Sequence, residues 1–156
     1  DRYGSIPKHI RVVRPLDILS TYSLVEMSDS CIVFGTKMAI EIACQGKIVI
    51  VAGDAWARNK GFTIDVSSID EYNNELSLLP CRKNLDSKTI ERAKKYAYYL
   101  FFYRMINLSS IEYSKYFSPY KLNISKTSQL LPGKDQGLDI ICNGILHKTE
   151  FIKYEN

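Results

Sequence analysis

Long apolar runs are missing from this chain of 156 residues. None approaches the roughly 20 consecutive apolar residues that a membrane-spanning helix requires, so the sequence predicts no transmembrane segment. No signal-peptide pattern opens the chain. The opening "DRYGSIPKHIRVV" has no initial methionine. We therefore expect a fragment of a longer protein.

Clustered metal ligands and a strong excess of charge are also missing. The chain has four cysteines without a C-x-x-C pair, and only two histidines. Structural zinc sites usually need clustered ligands, so reduced thiols in a cytoplasmic protein are the simple interpretation. The net charge of +4 permits anionic ligands but does not indicate nucleic-acid binding. The cysteines are Cys31, Cys44, Cys81 and Cys142.

The two commonest nucleotide-binding fingerprints are absent as well. The chain contains neither G-x-G-x-x-G nor the P-loop pattern G-x-x-x-x-G-K-[ST]. What the chain does have is 46% hydrophobic residues, enough for a core, in a length that suits one domain. We therefore expect a single domain spanning residues 1–156.

The first third of the chain alternates between strand and helix patterns. Residues 9–14, 31–35 and 47–53 are short apolar or β-branched runs typical of strands. The segments 16–29 and 36–46 between them have apolar residues at helical spacing. This alternation predicts an α/β fold, a Rossmann-like three-layer domain with a parallel sheet and right-handed crossovers.

The rest of the chain is predicted to contain three helices together with extended and irregular segments. Ser68 followed by Glu71 is a capping pattern that begins one helix. The aromatic run in the long helix 86–106 is interpreted as core, with a partner-binding or membrane-surface stripe as the alternative. The remaining segments are a short extended piece at 62–66, an irregular tyrosine-rich surface segment at 107–133 and a closing helix at 133–148.

The strand-to-helix junction at Gly35, Thr36 and Lys37 is the main candidate site. The first N–H groups of a helix lack intrahelical partners and carry partial positive charge, which favours anions. In this interpretation Gly35 allows close approach to the backbone, the Thr36 hydroxyl binds phosphate or caps the helix, and Lys37 adds a positive charge. Glu41, one turn later, is placed to accept hydrogen bonds from two sugar hydroxyls. Together they predict a site for a diphosphate and its ribose.

A purely structural explanation of the junction stays open. Glycine and threonine are common at strand–helix junctions. Lys37 and Glu41 are also spaced as an ordinary surface pair, worth a few tenths of a kcal/mol, about 0.2–0.5. On this motif alone the structural explanation is favoured.

Two neighbouring segments supply further candidates at the same sheet edge. Trp56 is interpreted either as a ring that stacks on a base or sugar or as an anchor of its own loop. Arg58 or Lys60 is interpreted either as a phosphate contact or as a solvated charge. Ser20 and Tyr22 begin the first predicted helix. They are interpreted either as contacts to the donor or as structural residues, namely a helix cap and a ring that faces the core. Loops at the carboxyl ends of strands are where function concentrates, which is why these residues are included.

An ordered series of motifs runs through residues 6–72, and its matching positions are Pro15, Tyr22, Asp29, Gly35, Thr36, Glu41, Gly46, Lys47, Gly53, Ala55, Gly61, Phe62 and Thr63. With the aromatic helix and "LLPGKDQGLDIICNGIL", this series resembles the C-terminal half of bacterial capsule polysaccharide biosynthesis proteins and related surface-polysaccharide glycosyltransferases. The family pattern contains a Gly-Ser-Thr-x-Gly-x-Glu junction, a helix ending Gly-Lys-Pro and a Gly-x-Ala-Tyr…Lys-Gly-Phe-Thr loop. The resemblance covers most of the chain and is weakest in the tyrosine-rich segment.

The chain departs from that family pattern at several positions. Thr36 stands for serine, Lys37 for threonine, Ala39 for glycine, Ile48 for proline and Trp56 for tyrosine. The Arg-x-His-Pro segment that the family carries upstream is not in this chain. The departures leave open a divergent donor preference or a loss of activity.

The resemblance implies a GT-B glycosyltransferase, with two Rossmann-like domains facing each other across a cleft. This chain would be the C-terminal, donor-binding domain, without metal or cofactor, using the nucleotide-sugar as substrate. The catalytic base would lie in the N-terminal domain, so no catalytic residue is assigned, and we expect weak donor binding and no turnover by this half alone. The donor-binding residues would be Gly35, Thr36, Lys37, Glu41, Ser20, Tyr22, Trp56 and Lys60.

The implied partners and location follow from the same resemblance. They are a nucleotide-sugar and a saccharide or lipid-linked acceptor, no nucleic acid, and peripheral association with the inner membrane or capsule assembly proteins. The implied location is the cytoplasm, at the cytoplasmic face of that membrane. Two alternatives stay open: a nucleotide-sugar epimerase of the same fold, and a non-catalytic module that binds an anion or a partner.

Overall fold

The chain folds into two compact units, Asp1–Ala93 and Lys94–Asn156, which we call unit 1 and unit 2. The prediction of a single domain stays a prediction. Pro15 and Cys81, on which two sequence interpretations depend, lie outside the described residues. The computed structural model of the chain describes residues 4, 6–14, 16–80, 83–112 and 121–153.

Unit 1 contains a three-stranded parallel sheet. Its strands are β1 (Ser30–Val33), β2 (Ile48–Val51) and β3 (Ile64–Asp65), arranged side by side in that order. The helix α2 (Met38–Cys44) connects β1 to β2 and packs against both. The mixed α/β class and the parallel sheet are therefore as predicted.

The core of unit 1 is built on the central strand. All four residues of β2 are buried, because the strand has a neighbour on each side and α2 packs on it. Removing a large aliphatic side chain from water contributes about 1.5–3 kcal/mol, so this run stabilises the unit strongly. The buried apolar residues of unit 1 are Val25, Ala39, Ile40, Ile42, Ala43, Ile48, Val49, Ile50, Val51, Ala57, Phe62, Val66 and Ala93.

The predicted strand at 9–14 is wrong. No residue of this segment is in a strand, and Ile10 and Val12 are 51% and 57% exposed. A β-branched run favours extended backbone, but a strand also needs a neighbour to pair with, and this segment has none in the described sheet. The third strand is β3 instead, inside the extended piece predicted at 62–66.

The first helix is shorter than the predicted 16–29. Helix α1 spans Thr21–Met27, and Ser20 is its N-cap without a side-chain capping bond. Leu16 and Met27, two of the apolar residues whose spacing predicts this helix, are 94% and 85% exposed. The only residue of α1 that is buried is Val25, so two turns of helix are enough to cover this part of the core.

Helix α2 ends as its sequence predicts. Gly46 follows it with a φ of +83°, a left-handed conformation that glycine adopts without a steric penalty. The next residue, Lys47, extends its ammonium group to the carbonyls of Glu26 and Ser28, at 3.0 and 2.8 Å. Lys47 thus satisfies carbonyl groups at the end of α1 and joins that end to the start of β2.

Helix α3 (Ile69–Ser77) begins at the predicted capping pair. The Ser68 hydroxyl accepts a hydrogen bond from the backbone N–H of Glu71 at 3.1 Å. The Glu71 carboxylate accepts from the N–H of Ser67 at 2.7 Å, one residue earlier than a standard capping box. The first bond occupies an N–H group that the helix start leaves without a partner, and the second ties the residue before the N-cap to the first turn.

The long aromatic helix is present and changes its form along its length. Helix α4 (Ser87–Tyr98), which contains the boundary between the units, is followed without interruption by a π-helix at Tyr99–Arg104. The Asp86 carboxylate caps α4 by accepting from the N–H and hydroxyl of Thr89, at 3.0 and 2.7 Å. In the π-helix Leu100 is buried, whereas several of the neighbouring aromatic rings are exposed, so the core interpretation holds for only part of the run.

Unit 2 combines a small hairpin with a terminal helix. Strands β4 (Ile111–Glu112) and β5 (Lys121–Leu122) pair antiparallel. A short 3₁₀-helix at Thr127–Leu130 follows, and helix α5 spans Gln136–His147. The predicted irregular segment 107–133 thus contains three short elements among its described residues.

The apolar residues whose spacing predicts α5, Leu138, Ile141, Cys142 and Ile145, are covered only in part, since Leu138 and Ile141 are half-buried. Cys142 and Ile145 are both exposed, Ile145 by 68%. The buried positions are Gly137 and Gly144. A β-carbon at Gly144 would overlap the ring of Phe151, so the helix is approached where its side chains are smallest. Apolar spacing identified the helix and only part of the side that is covered.

Two sequence expectations bear on thiols and membranes. Cys31, Cys44 and Cys142 form no disulfide bond within the described residues. No helix in the described ranges combines the length and the apolar character needed to cross a bilayer. The expected cellular location stays a prediction.

Candidate functional site

The candidate site lies at the carboxyl ends of β1 and β2, a place we call the carboxyl edge. Two glycines bring the connecting loops into backbone contact there. A β-carbon on Gly35 would lie 2.7 Å from the carbonyl oxygen of Asp54, and one on Gly53 would lie 2.7 Å from that of Phe34. The close approach that Gly35 permits is therefore, on this side, an approach of the protein's own backbone.

The start of α2 is less open to a ligand than the sequence predicts. The Thr36 hydroxyl accepts from the N–H of Met38 at 3.3 Å, and the Thr36 carbonyl accepts from the N–H of Ala39 at 3.3 Å. The first helical N–H groups are therefore already partnered. The N–H groups of Thr36 and Lys37, just before the helix, have no acceptor among the described residues. The donors available to an anion are these loop amides.

Lys37 lies beside Trp56 at the carboxyl edge. The Lys37 Nζ is 5.7 Å from the centre of the indole ring, a cation–π distance. Trp56 is 55% exposed, and Lys37 is exposed as well. The pair joins the loop after β2 to the start of α2, and it places a positive charge over the ring of a partly exposed tryptophan.

Tyr22 and Glu41 form the second pair of predicted site residues. The Tyr22 hydroxyl donates a hydrogen bond to the Glu41 carboxylate, which links α1 to α2. This hydrogen bond, together with the negative charge of Glu41, raises the pKa of Tyr22 above its ordinary value of 10.0. One carboxylate oxygen of Glu41 is thus occupied by a phenol that stays protonated at neutral pH.

The Tyr22–Glu41 pair makes a testable pH prediction. Because the folded protein raises the pKa of Tyr22, the bond stabilises the fold below about pH 10 and is lost as the pH rises through the raised value. In a ¹³C-tyrosine NMR titration, Tyr22 should titrate above 10.0 in the parent chain and closer to 10.0 in Glu41→Gln. An unchanged titration in the variant would contradict the assignment.

Ser20 and Lys60 occupy the places that the sequence predicts for them. Ser20 is the exposed N-cap of α1, two residues before Tyr22. Lys60 is exposed in the loop between β2 and β3. Neither position bears on whether these residues contact a ligand, so their assignment stays a prediction.

Arg58, one of two phosphate candidates in that loop, has a structural role. Its Nη1 donates to the carbonyls of Val51, Gly53 and Val66, at 3.2, 3.1 and 3.0 Å. Its Nη2 donates to the hydroxyl of Ser67 at 3.1 Å. We call this set the Arg58 cluster. Because these donors are already occupied, Arg58 is a poor candidate for phosphate binding.

Several residues that carry the family resemblance also serve the loop itself. Phe62 is only 2% exposed, and Gly61 has a φ of +76° with its carbonyl accepting from Arg92 at 3.2 Å. The Thr63 hydroxyl donates to the Asp65 carboxylate at 2.8 Å. These three positions are explained by the fold of the β2–β3 connection and need no ligand.

Phe34 is an edge residue that the sequence interpretation misses. The apolar run "CIVFG" predicts a buried strand position for it, yet it is 77% exposed. Strand β1 ends at Val33, so Phe34 extends beyond the sheet and lies against Gly53. The sequence signal that could have indicated an exposed edge position is that Phe34 ends an apolar run directly before a glycine.

Comparison with known proteins adds no assignment. No protein-family model, curated protein or solved structure matches this chain. The described residues contain no group of three or more His, Cys, Asp or Glu side chains arranged to hold a metal ion, and metal independence stays a prediction. Function therefore has to be argued from the carboxyl edge itself.

Proposed function

We propose that this chain binds the nucleotide-sugar donor of a GT-B-type glycosyltransferase in bacterial capsule or other surface polysaccharide synthesis. The Rossmann-like three-layer architecture is part of the proposal. The observation that carries it is the meeting of two pairs, Lys37 with Trp56 and Tyr22 with Glu41, around the start of α2 at the carboxyl edge. In open α/β sheets, ligands bind outside the carboxyl ends of the strands.

The diphosphate is assigned to the loop before α2. Lys37 supplies a full positive charge, and the N–H groups of Thr36 and Lys37 supply neutral donors. Helix α2 has only seven residues, so its dipole is a minor contribution beside the lysine. A cation and fixed amides stabilise the negative charge of a departing diphosphate, as metal-independent transfer requires.

The ribose and base are assigned to the two side-chain pairs. Tyr22 holds one oxygen of Glu41, which fixes the carboxylate and leaves its other oxygen to accept from ribose hydroxyls. The exposed indole of Trp56 offers a face for a base or sugar ring. Ser20, Lys60 and Gly35 complete the assigned donor site.

The acceptor and the catalytic base fall outside this assignment. The proposal gives them to a second domain across the cleft, so no residue of this chain is assigned as catalytic. The acceptor is a saccharide or a lipid-linked saccharide, and the location is the cytoplasmic face of the inner membrane. This division of labour predicts binding without turnover.

Calorimetry with UDP, CDP, GDP and CMP tests the donor site. We expect one of these nucleotides to bind, and Lys37→Ala to weaken it about tenfold, because one charge-assisted contact is lost. Glu41→Ala should abolish measurable binding, whereas Tyr22→Phe, which only frees the carboxylate, should weaken it less. Lys88→Ala, which removes an exposed lysine in the first turn of α4, is the matched control and should bind like the parent chain.

Two other outcomes point to other functions. Absence of binding by all four nucleotides, with the parent chain folded, would contradict the donor site and favour the non-catalytic module. Conversion of a bound nucleotide-sugar into its epimer, followed by NMR, would indicate an epimerase. Equal losses in Lys37→Ala and Lys88→Ala would remove Lys37 from the site.

A further inference from the structure

Unit 2 contains a cavity of about 610 Å³ that the donor site does not use. It is lined by the start of α5, by the earlier segment 106–109 and by Lys153, the last described residue. Its volume falls within the range of about 300–1,000 Å³ typical of small-molecule sites. The residues that decide its chemistry are Ile106, Leu108, Lys134, Asp135, Ile140 and Lys153.

One wall of the cavity is held by Asp135, which is only 6% exposed. Its Oδ2 accepts from the N–H and hydroxyl of Ser109, at 2.9 and 2.8 Å, and from the N–H of Ser110 at 3.3 Å. Its Oδ1 accepts from the N–H groups of Gly137 and Leu138, at 2.9 and 3.1 Å. The carboxylate is therefore held by neutral donors and keeps its negative charge, which offsets one of the two lysines and leaves the lining with one net positive charge.

Two lysines give the cavity a positive lining. Lys134 and Lys153 both line it, and neither pairs with a carboxylate within the part of the chain that the structure describes. Lys153 is half-buried, and its backbone N–H donates to the carbonyl of Tyr103 at 2.8 Å, which fixes the base of its side chain. Two lysines in the lining of one cavity favour an anionic group there.

Three aliphatic side chains also line the cavity, beside the polar residues Asn107, Ser109 and Gln136. Ile106, Leu108 and Ile140 are half-buried and contribute branched hydrocarbon to the cavity. A small phosphate or sulfate ion would leave this surface in contact with water. An aliphatic chain would cover it and gain about 25 cal/mol for each Å² removed from water.

We propose that this cavity binds a small amphiphile with an anionic head, held by Lys134 and Lys153, and an aliphatic body, covered by Ile106, Leu108 and Ile140. The inference does not depend on the donor site, which belongs to unit 1. A phosphate and a carboxylate head share the required chemistry, so the experiment includes both.

The test is an NMR titration of the full ¹⁵N-labelled chain with octyl phosphate and with octanoate. Either compound is expected to shift the amide signals of Ser109, Ile140 and Lys153. Octan-1-ol, which has the same body without charge, and inorganic phosphate, which lacks the body, should each bind at least about tenfold more weakly. Stronger binding of one anionic probe identifies the head group.

Variants separate this proposal from non-specific binding. Lys153→Met and Lys134→Met keep the aliphatic stem of the side chain. Each should weaken the affinity for the tighter-binding probe about fivefold, the effect expected from losing one partly exposed ion pair. Lys94→Met, in the same unit but outside the cavity, should have no effect. The proposal is overturned if octan-1-ol binds as tightly as both anions, if neither anion shifts the cavity signals, or if Lys94→Met weakens binding as much as the cavity variants.

Discussion

Replacing Asp135 by asparagine is expected to lower the free energy of unfolding of unit 2 by about 3 kcal/mol. The carboxylate accepts five hydrogen bonds, three on Oδ2 and two on Oδ1. An asparagine amide has one oxygen and one NH₂ group, so at least two N–H donors would face another donor. The site is buried, and water cannot replace the lost acceptors without a structural change.

Amide hydrogen exchange measures this loss where it occurs. The N–H groups of Ser109, Gly137 and Leu138 should lose protection in Asp135→Asn, together with the rest of α5. Asp139→Asn is the matched control, because Asp139 accepts one hydrogen bond, from Gly133, and should cost much less. Equal protection in the two variants would show that Asp135 is not the residue that fixes the start of α5.

The same carboxylate makes unit 2 sensitive to acid. Burial alone raises the pKa of Asp135, but hydrogen bonds from Ser109, Leu138 and Ser110 outweigh it and hold the pKa below its ordinary value of 3.8. Because the folded-state pKa is depressed, this stabilisation is present above about pH 4 and is lost as the pH falls through the lower value. Asp135→Asn should therefore flatten the acid limb of the stability curve.

Replacing Arg58 by methionine is expected to destabilise unit 1 by about 2 kcal/mol. Methionine keeps most of the aliphatic stem but removes the guanidinium that bonds the carbonyls of Val51, Gly53 and Val66. These carbonyls lie at or just after the ends of strands β2 and β3. Losing the hydrogen bonds that the guanidinium donates to them should therefore loosen the edge of the sheet. Arg58→Lys should recover only part of the lost stability. A lysine keeps a positively charged donor, but its ammonium group cannot span all of these acceptors in one plane.

Urea unfolding and hydrogen exchange of the Val66 N–H, which donates to Val51, report this effect. Arg92→Met is the matched control, since the Arg92 guanidinium donates one hydrogen bond here, to Gly61, from an exposed position. A cost for Arg58→Met no larger than that for Arg92→Met would contradict the structural role of the Arg58 cluster.

The sequence predicts the centre of unit 1 well because the relevant signals are local. Four consecutive apolar residues in β2 and a glycine of positive φ after α2 can each be identified from a few neighbours. The strand predicted at 9–14 shows the limit of such local signals. Its β-branched residues favour extended backbone, but pairing is decided by a neighbour that no local pattern specifies.

Sequence patterns single out candidate site residues, whose contact with a ligand stays a prediction, but they do not give the geometry of those residues. Tyr22 and Glu41 are 19 residues apart, and nothing in their spacing predicts that one would hold the other. The role of Arg58 depends on carbonyl groups, which every residue has and which a side-chain pattern cannot identify. Asp135 escapes sequence reasoning as well, because its partner Ser109 is 26 residues away.

The Arg58 cluster has a consequence for any ligand that contacts Trp56. The loop carrying the indole is tied to the ends of β2 and β3 two residues after Trp56, so its backbone is already ordered before a ligand arrives. Binding then requires little loss of conformational entropy from this loop, and more of the contact energy appears as affinity. Preorganisation of the aromatic face would come from an arginine that never touches the ligand.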